Sequence, residues 1–133
     1  MAATVESQTL SVRIERPWRA VYDFIAEPAS FAAWAKGLGQ SLRQVGARWV
    51  VQTPQGEMDV RFTPKNDFGI LDHTLAAPGG TEIHVPLRVI ANGDGCEVML
   101  TVFRLPNMSD DAFAADAAAV RRDLQALKTL MES

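Results

Sequence analysis

The sequence predicts an α+β domain in which one long C-terminal helix lies across a curved antiparallel sheet. Three observations carry that expectation. A strand-like alternation near the start gives way at Pro17 to helical spacing. Alternating segments separated by short turns fill residues 47 to 105. One unbroken apolar stripe runs from Phe113 to Met131.

Each element follows in order. From Thr9 to Glu15 the apolar residues Leu10, Val12 and Ile14 alternate with polar ones, the period of a strand with one face covered. Pro17 suits the first turn of a helix, where its missing N–H costs nothing, and Trp18, Val21, Tyr22 and Ile25 recur at helical spacing. Pro28 ends that helix, and a second short one over residues 29–35 presents Phe31 and Trp34. Gly37, Gly39 and Gly46 mark an irregular connection with a short strand around residues 41–44. Strands are then expected at 48–53, 57–63, 68–77, 81–91 and 96–105. Their turns are Pro54-Gln55-Gly56, Pro64 to Asp67, Pro78-Gly79-Gly80 and Asn92 to Gly95. Such short connections pair each strand with its sequence neighbour. Ser109 is a good N-cap, and Asp110 and Asp111 place negative charge at the positive end of the helix dipole. Phe113, Ala117, Val120, Leu124, Leu127 and Met131 then form one helical face, which must cover the apolar side of the sheet.

At 133 residues the chain is long enough for one core, so residues 1–133 are read as a single domain. A formal net charge of −3 with scattered Arg and Lys gives no basic face for nucleic acid or membrane surface. Cys96 is the only cysteine, which rules out an intramolecular disulfide and a multi-cysteine zinc site. The start has no basic segment leading into an apolar core, and no apolar run approaches the roughly 20 residues of a membrane span. A cytoplasmic location is expected.

The segment from Ser11 to Pro28, with Pro17-Trp18 and the pair Val21-Tyr22, followed by Phe31 and Trp34, resembles the opening of the START-like (Bet v 1-like, SRPBCC) superfamily. The ending from Asp116 to Glu132 is similar to its closing helix. The likeness spans nearly the whole chain and is nearest to small bacterial proteins of the polyketide cyclase or dehydrase type. It implies a helix-grip fold, here with six to seven strands in one curved sheet, two short helices after the first strand and a hydrophobic cavity under the long helix. The stretch between Trp34 and Trp49 is shorter than in many members, which points to a reduced second strand and cavity mouth. One fold hosts many activities, so function has to be argued from the site.

Candidate lining residues are Trp34, Trp49, Met58, Phe62, Val85, Leu100, Phe113 and Val120, with Met99 and Phe103 also large enough to contribute; the alternative is that all of them simply fill a core. Arg61 and Arg104 are candidate polar contacts. Asp72 and His73 interrupt an otherwise apolar strand. A four-residue loop from Ala77 to Gly80 sets Ala76 opposite Thr81 and His73 opposite His84. A second count sets Val89 opposite Val98, Leu87 opposite Leu100 and Val85 opposite Val102. In this register Asp72 points inward, and His73, His84 and Arg88 share the outer face; a slip of one residue reverses it. An enclosed carboxylate could act as a general acid or base, or Asp72 could pair with Arg61 or Arg104, or sit at a strand bend. The two histidines with Glu82 are too few to predict a metal site. Gly37-Leu38-Gly39 lacks the third glycine of a dinucleotide fingerprint. Cys96 reads as a structural thiol, and residues 104–108 read as a capped turn or a cationic mouth.

The leading expectation is a protein that binds a small apolar or aromatic molecule, without cofactor or metal. A cofactor-independent cyclase, dehydratase or isomerase using Asp72 is the second expectation. The third is a homodimer or partner-binding module using an outer sheet face with His84, Arg88, Met99 and Phe103.

Overall fold

The computed structural model describes residues 3–36, 41–53 and 56–133. The Gly37-Leu38-Gly39 run and the Pro54-Gln55 part of its turn lie outside the described residues.

Strand β1 (Ser7–Ile14) buries Leu10 and Ile14 on one side, as its alternation requires. Helix α1 (Trp18–Ala26) follows Pro17 directly, with Val21, Tyr22 and Ile25 buried. A 3₁₀ turn at Pro28–Ser30 leads into α2 (Phe31–Trp34), which buries Phe31 and Trp34. The remaining strands are β2 (Arg43–Val45), β3 (Arg48–Thr53), β4 (Gly56–Phe62), β5 (His73–Ala76), β6 (Glu82–Val85), β7 (Leu87–Asn92) and β8 (Gly95–Phe103). Helix α3 (Asp110–Glu132) closes the chain.

Helix α3 begins where the capping chemistry places it. The Ser109 hydroxyl accepts the Ala112 N–H at 3.0 Å, and Asp110 and Asp111 occupy the first turn. Its 23 residues span about 35 Å at 1.5 Å per residue, enough to cross the sheet. Phe113, Ala117, Leu124, Leu127 and Met131 are buried. The helix packs chiefly on β1 and α2, forming a core with Leu10, Ile14, Leu87, Val89 and Val98. A second cluster, Val51, Met58 and Val60, lies at the far end among β3 and β4.

Among the described residues all the pairings are antiparallel, but the strands form two sheets rather than a single one of six to seven: β1-β8-β7 and β2-β3-β4-β5-β6. The expected strand at 81–91 is cut at Pro86, and the one at 68–77 is ordered as a ladder only from His73 to Ala76. Proline has no N–H to give a ladder, and at Leu87 the next N–H goes to the Asp72 side chain at 2.9 Å. Backbone bonds still cross the seam. Leu71 donates to Leu87 (2.8 Å), Val89 to Gly69 (2.9 Å) and Thr101 to Pro86 (3.1 Å). The two sheets are therefore halves of one bent surface. Gly69 makes the bend possible: at φ +72° a side chain there would place its Cβ 2.1 Å from the Val89 carbonyl oxygen.

The register of β7 on β8 is as expected at Val89–Val98 and Leu87–Leu100. That of β5 on β6 is displaced by one residue. Ala76 pairs with Glu82 and His73 with Val85, because the connecting loop takes in Thr81 as well and closes with an Ala77 N–H bond to the Thr81 carbonyl at 2.8 Å. Since side chains alternate, this reverses the expected faces. His73 points inward and Asp72 outward. Val85 lies in β6, opposite His73, and belongs to the other sheet from its expected partner Val102.

Candidate functional site

The register builds the inner face of the larger sheet from cross-strand rows. One row is Trp49, Val60, Leu75 and Ile83; the next is Phe62, His73 and Val85. Helix α3 packs on the β1 side and α2 covers the edge near Phe31. Space therefore remains between α3, β8 and the β5–β6 hairpin. It is a cavity of about 900 Å³, walled by Phe31, Trp34, His73, Leu75, Ile83, Val85, Leu100, Val102 and Val120, with Lys36, His84, Asp116, Arg122 and Asp123 also on its lining. Leu75, Ile83, Val85, Leu100, Val102 and Val120 are only half-buried although they belong to the apolar interior of the fold.

Of the residues expected to line a cavity, Trp34, Val85, Leu100 and Val120 do so, and Phe103 is among the lining residues as well. Trp49, Met58 and Phe62 are not on its wall: Trp49 and Met58 belong to the cluster around Val51 and Val60, while Phe62 packs against both clusters, stacked on Phe31 at 5.8 Å and met edge-on by Trp49 at 6.3 Å. Phe113 is buried elsewhere along α3. Arg61 and Arg104 also lie apart from it. Arg61 is on the outer face, paired with Glu82 at 2.5 Å. Arg104 bonds Glu6, Asp110 and the Met108 carbonyl, so the 104–108 segment is a cross-braced turn into α3. Met99 and Phe103 are half-buried, which removes the exposed apolar pair expected on the outer face.

Asp72 is committed to structure. Its carboxylate accepts the Leu87 N–H and holds Arg88 through two bonds of 2.9 and 2.8 Å. Its partner is thus neither Arg61 nor Arg104. The Arg88 guanidinium, with the Leu87 N–H, keeps its carboxyl below the usual carboxylate range. It lines a second, smaller groove of about 290 Å³ with Arg61, Thr74 and His84, to which Phe62, His73 and Val85 also contribute, and is absent from the wall of the larger cavity.

His73 is the residue that the expected register concealed. It is 6% exposed, and its ring lies 5.8 Å from both Phe31 and Phe62. Burial pushes its pKa down, so the imidazole is neutral near pH 7. Nδ1 lies 3.3 Å from the Leu71 carbonyl oxygen. His84, on the opposite face, bonds the Thr74 hydroxyl at 3.0 Å. No group of three or more potential metal ligands occurs among the described residues. A polar residue in an otherwise apolar strand was the available signal for His73; its face depended on one loop residue. Cys96 is fully buried, with its thiol pKa pushed up by burial, as befits a structural thiol.

No family model matches the sequence, and no curated protein matches it. Solved structures do match in fold. An uncharacterised protein from Bacillus thuringiensis superposes with a TM-score of 0.74 at 17% identity, covering 96% of this chain and 100% of that one. Ara h 8.0201 gives a TM-score of 0.66 at 9% identity, over 96% of this chain and 97% of its own. DynU16, a protein in the dynemicin biosynthetic locus, gives 0.69 at 17% identity, over 96% of this chain and 47% of its own. Identities this low speak for fold alone. Among the described residues no helix is long and apolar enough to cross a membrane. The chain has an α+β architecture with a bent antiparallel sheet gripped by its C-terminal helix, consistent with the Bet v 1-like (SRPBCC) fold.

Proposed function

We propose that this protein binds a small apolar or aromatic molecule in the cavity between the sheet and α3. One observation carries the reading: inward apolar side chains on β5, β6, β8 and α3 surround about 900 Å³ and remain half-exposed. A core that existed only for stability would close on these residues, since interiors pack to crystal-like density. Leaving them open forgoes stabilisation of about 25 cal/mol for each Å² of apolar surface. An apolar ligand recovers that contribution on binding, and mostly apolar walls with a few polar groups are typical of small-molecule sites. The occurrence of the same fold in a biosynthetic-locus protein supports this reading at the level of fold.

The test is native mass spectrometry of freshly purified protein with organic extraction, alongside titration with 1-anilinonaphthalene-8-sulfonate. Saturable one-to-one dye binding, competed by the extracted molecule, is expected. A protein that neither carries an extractable molecule nor binds the dye stoichiometrically overturns the reading.

A further inference from the structure

The larger cavity does not stay on one side of the sheet. Along a paired strand only alternate residues face a given side. Yet consecutive residues of two strands line this cavity: Ile83, His84 and Val85 on β6, and Thr101, Val102 and Phe103 on β8. The space therefore reaches through the surface between β6 and β8. These strands belong to different sheets. Where they meet, the Thr101 N–H donates to the carbonyl of Pro86, the residue after β6, at 3.1 Å.

Beyond that bond the facing edges are matched but unpaired. The bonds from Leu71 to Leu87, Val89 to Gly69 and Ala77 to Thr81 all link odd-numbered residues across the hairpin. Backbone groups alternate in direction along a strand, so the His84 N–H and C=O point away from β5, toward β8. On β8 the Arg104 N–H goes to Glu6, on the β1 side, while that of Thr101 goes to Pro86. By the same alternation the Phe103 N–H and C=O point toward β6. The β7–β8 register sets Leu87 opposite Leu100. Carried past Pro86, it sets Val85 opposite Val102 and His84 opposite Phe103. His84 and Phe103 would then exchange two hydrogen bonds, the next rungs of the same antiparallel ladder. The backbone groups of neither residue have a hydrogen-bond partner among the described residues.

We propose that the split between β6 and β8 is the entrance to the cavity, and that the two strands zip together in this register over a bound molecule. Closing makes the His84–Phe103 pair and brings Val85 against Val102, completing the wall with apolar side chains. Pro86 is the hinge: it has no N–H to give and holds β8 through its carbonyl alone. A molecule touching both strands favours the closed state by the contacts it makes only there. The inference rests on the binding reading above and adds how that site opens and shuts.

The test is a Val85→Cys/Val102→Cys double variant. Non-hydrogen-bonded partners in an antiparallel pair have Cα atoms about 4.5 Å apart, within disulfide reach. Cys96 is fully buried and does not compete. Reduced and oxidised forms of this one protein are compared with 1-anilinonaphthalene-8-sulfonate. Dye loaded before oxidation should be retained through dialysis, dye added afterwards should fail to enter, and reduction should restore exchange. Failure to cross-link, or a cross-link that leaves dye entry and exit as in the reduced form, overturns the proposal. Hydrogen exchange of the wild-type chain keeps the proposal falsifiable should the variant not fold. Dye should slow the His84 and Phe103 amides by about tenfold, the yield of one net hydrogen bond, and unchanged exchange there overturns it. If the wild-type chain binds no dye, the binding reading falls and the entrance with it. If dye binds and the strands do not close, the entrance alone falls.

Discussion

The Asp72 carboxylate grips the Arg88 guanidinium through two nearly parallel hydrogen bonds, Nε to Oδ1 at 2.9 Å and Nη2 to Oδ2 at 2.8 Å. The same Oδ1 takes the Leu87 N–H. The ion pair is partly solvated and worth little by itself. The N–H matters more, because Leu87 is fully buried at the seam between the two sheets. Replacing Asp72 with Ala should cost about 1–3 kcal/mol, the penalty of an unmet buried donor, read as a lower midpoint in urea. Dye binding in the cavity should be unchanged. A loss of binding with intact stability would return Asp72 to the site.

The Asp72–Arg88 contact also sets an acid limb of stability. The folded-state pKa of Asp72 lies below its ordinary value of 3.8. The stabilisation is therefore fully present above that value and is lost as pH falls below it through the depressed folded pKa. Wild type should lose stability faster than Asp72→Asn below about pH 4. Parallel curves for the two proteins would contradict the assignment.

His73 has the opposite charge type and a separate window. Burial lowers its folded pKa from 6.5, so the unfolded chain binds a proton that the folded chain refuses. Stability is full above pH 6.5 and declines as pH falls below it, until the folded ring also protonates. The slope approaches about 1.4 kcal/mol per pH unit for one such group. His73→Phe should remove this component, so that the gap between variant and wild type changes across the window. Urea midpoints measured from pH 8 to pH 5 check it.

How far these residues could be read in advance differs between fold and site. The stripe on α3, the Ser109 cap and the Pro17 junction are local patterns, set by spacing and by side chains that act on their own backbone. They appear in the structure at the expected places. The seam at Pro86 and the faces of Asp72 and His73 are not local. They depend on whether Thr81 belongs to a loop or a strand, a single-residue matter that hydrophobic pattern does not decide when residues 81–85 read almost equally well on either face. Trp49, Met58 and Phe62 were plausible cavity residues by size. Trp49 and Met58 instead pack in the cluster of β3 and β4, and Phe62 stacks on Phe31 between the two clusters, while α3 settles chiefly on β1 and α2.

Gly69 gives a further check on the seam. Its φ of +72° disfavours any side chain, and a Cβ would collide with the Val89 carbonyl that approaches within 2.1 Å of that position. The collision is with backbone, so it cannot be relieved by a rotamer change. Gly69→Ala should destabilise by at least about 2 kcal/mol, combining left-handed strain with loss of the Val89 bond. Hydrogen exchange at the Leu71 and Val89 amides should accelerate more than at β1, where the pairing with β8 is independent of the bend. Uniform acceleration would mean that the seam is not a separate point of weakness.

The cavity itself makes the last prediction. Val120 sits on α3 between the buried residues Ala117 and Leu124, yet remains half-exposed because the space opposite it is open. In a closed core, enlarging such a residue forces neighbours off their rotamers and costs about 1–3 kcal/mol. Here a larger side chain meets open space and gains apolar contact with Leu100 and Val85 across the cavity. Val120→Phe should therefore leave the unfolding midpoint unchanged or raise it, while weakening dye binding by about tenfold through lost volume and contact. Ser109→Ala provides the contrast: removing the cap should cost about 1 kcal/mol and leave dye affinity alone. If Val120→Phe instead destabilises as overpacking does, with binding intact, the space under α3 is smaller in solution than its walls imply.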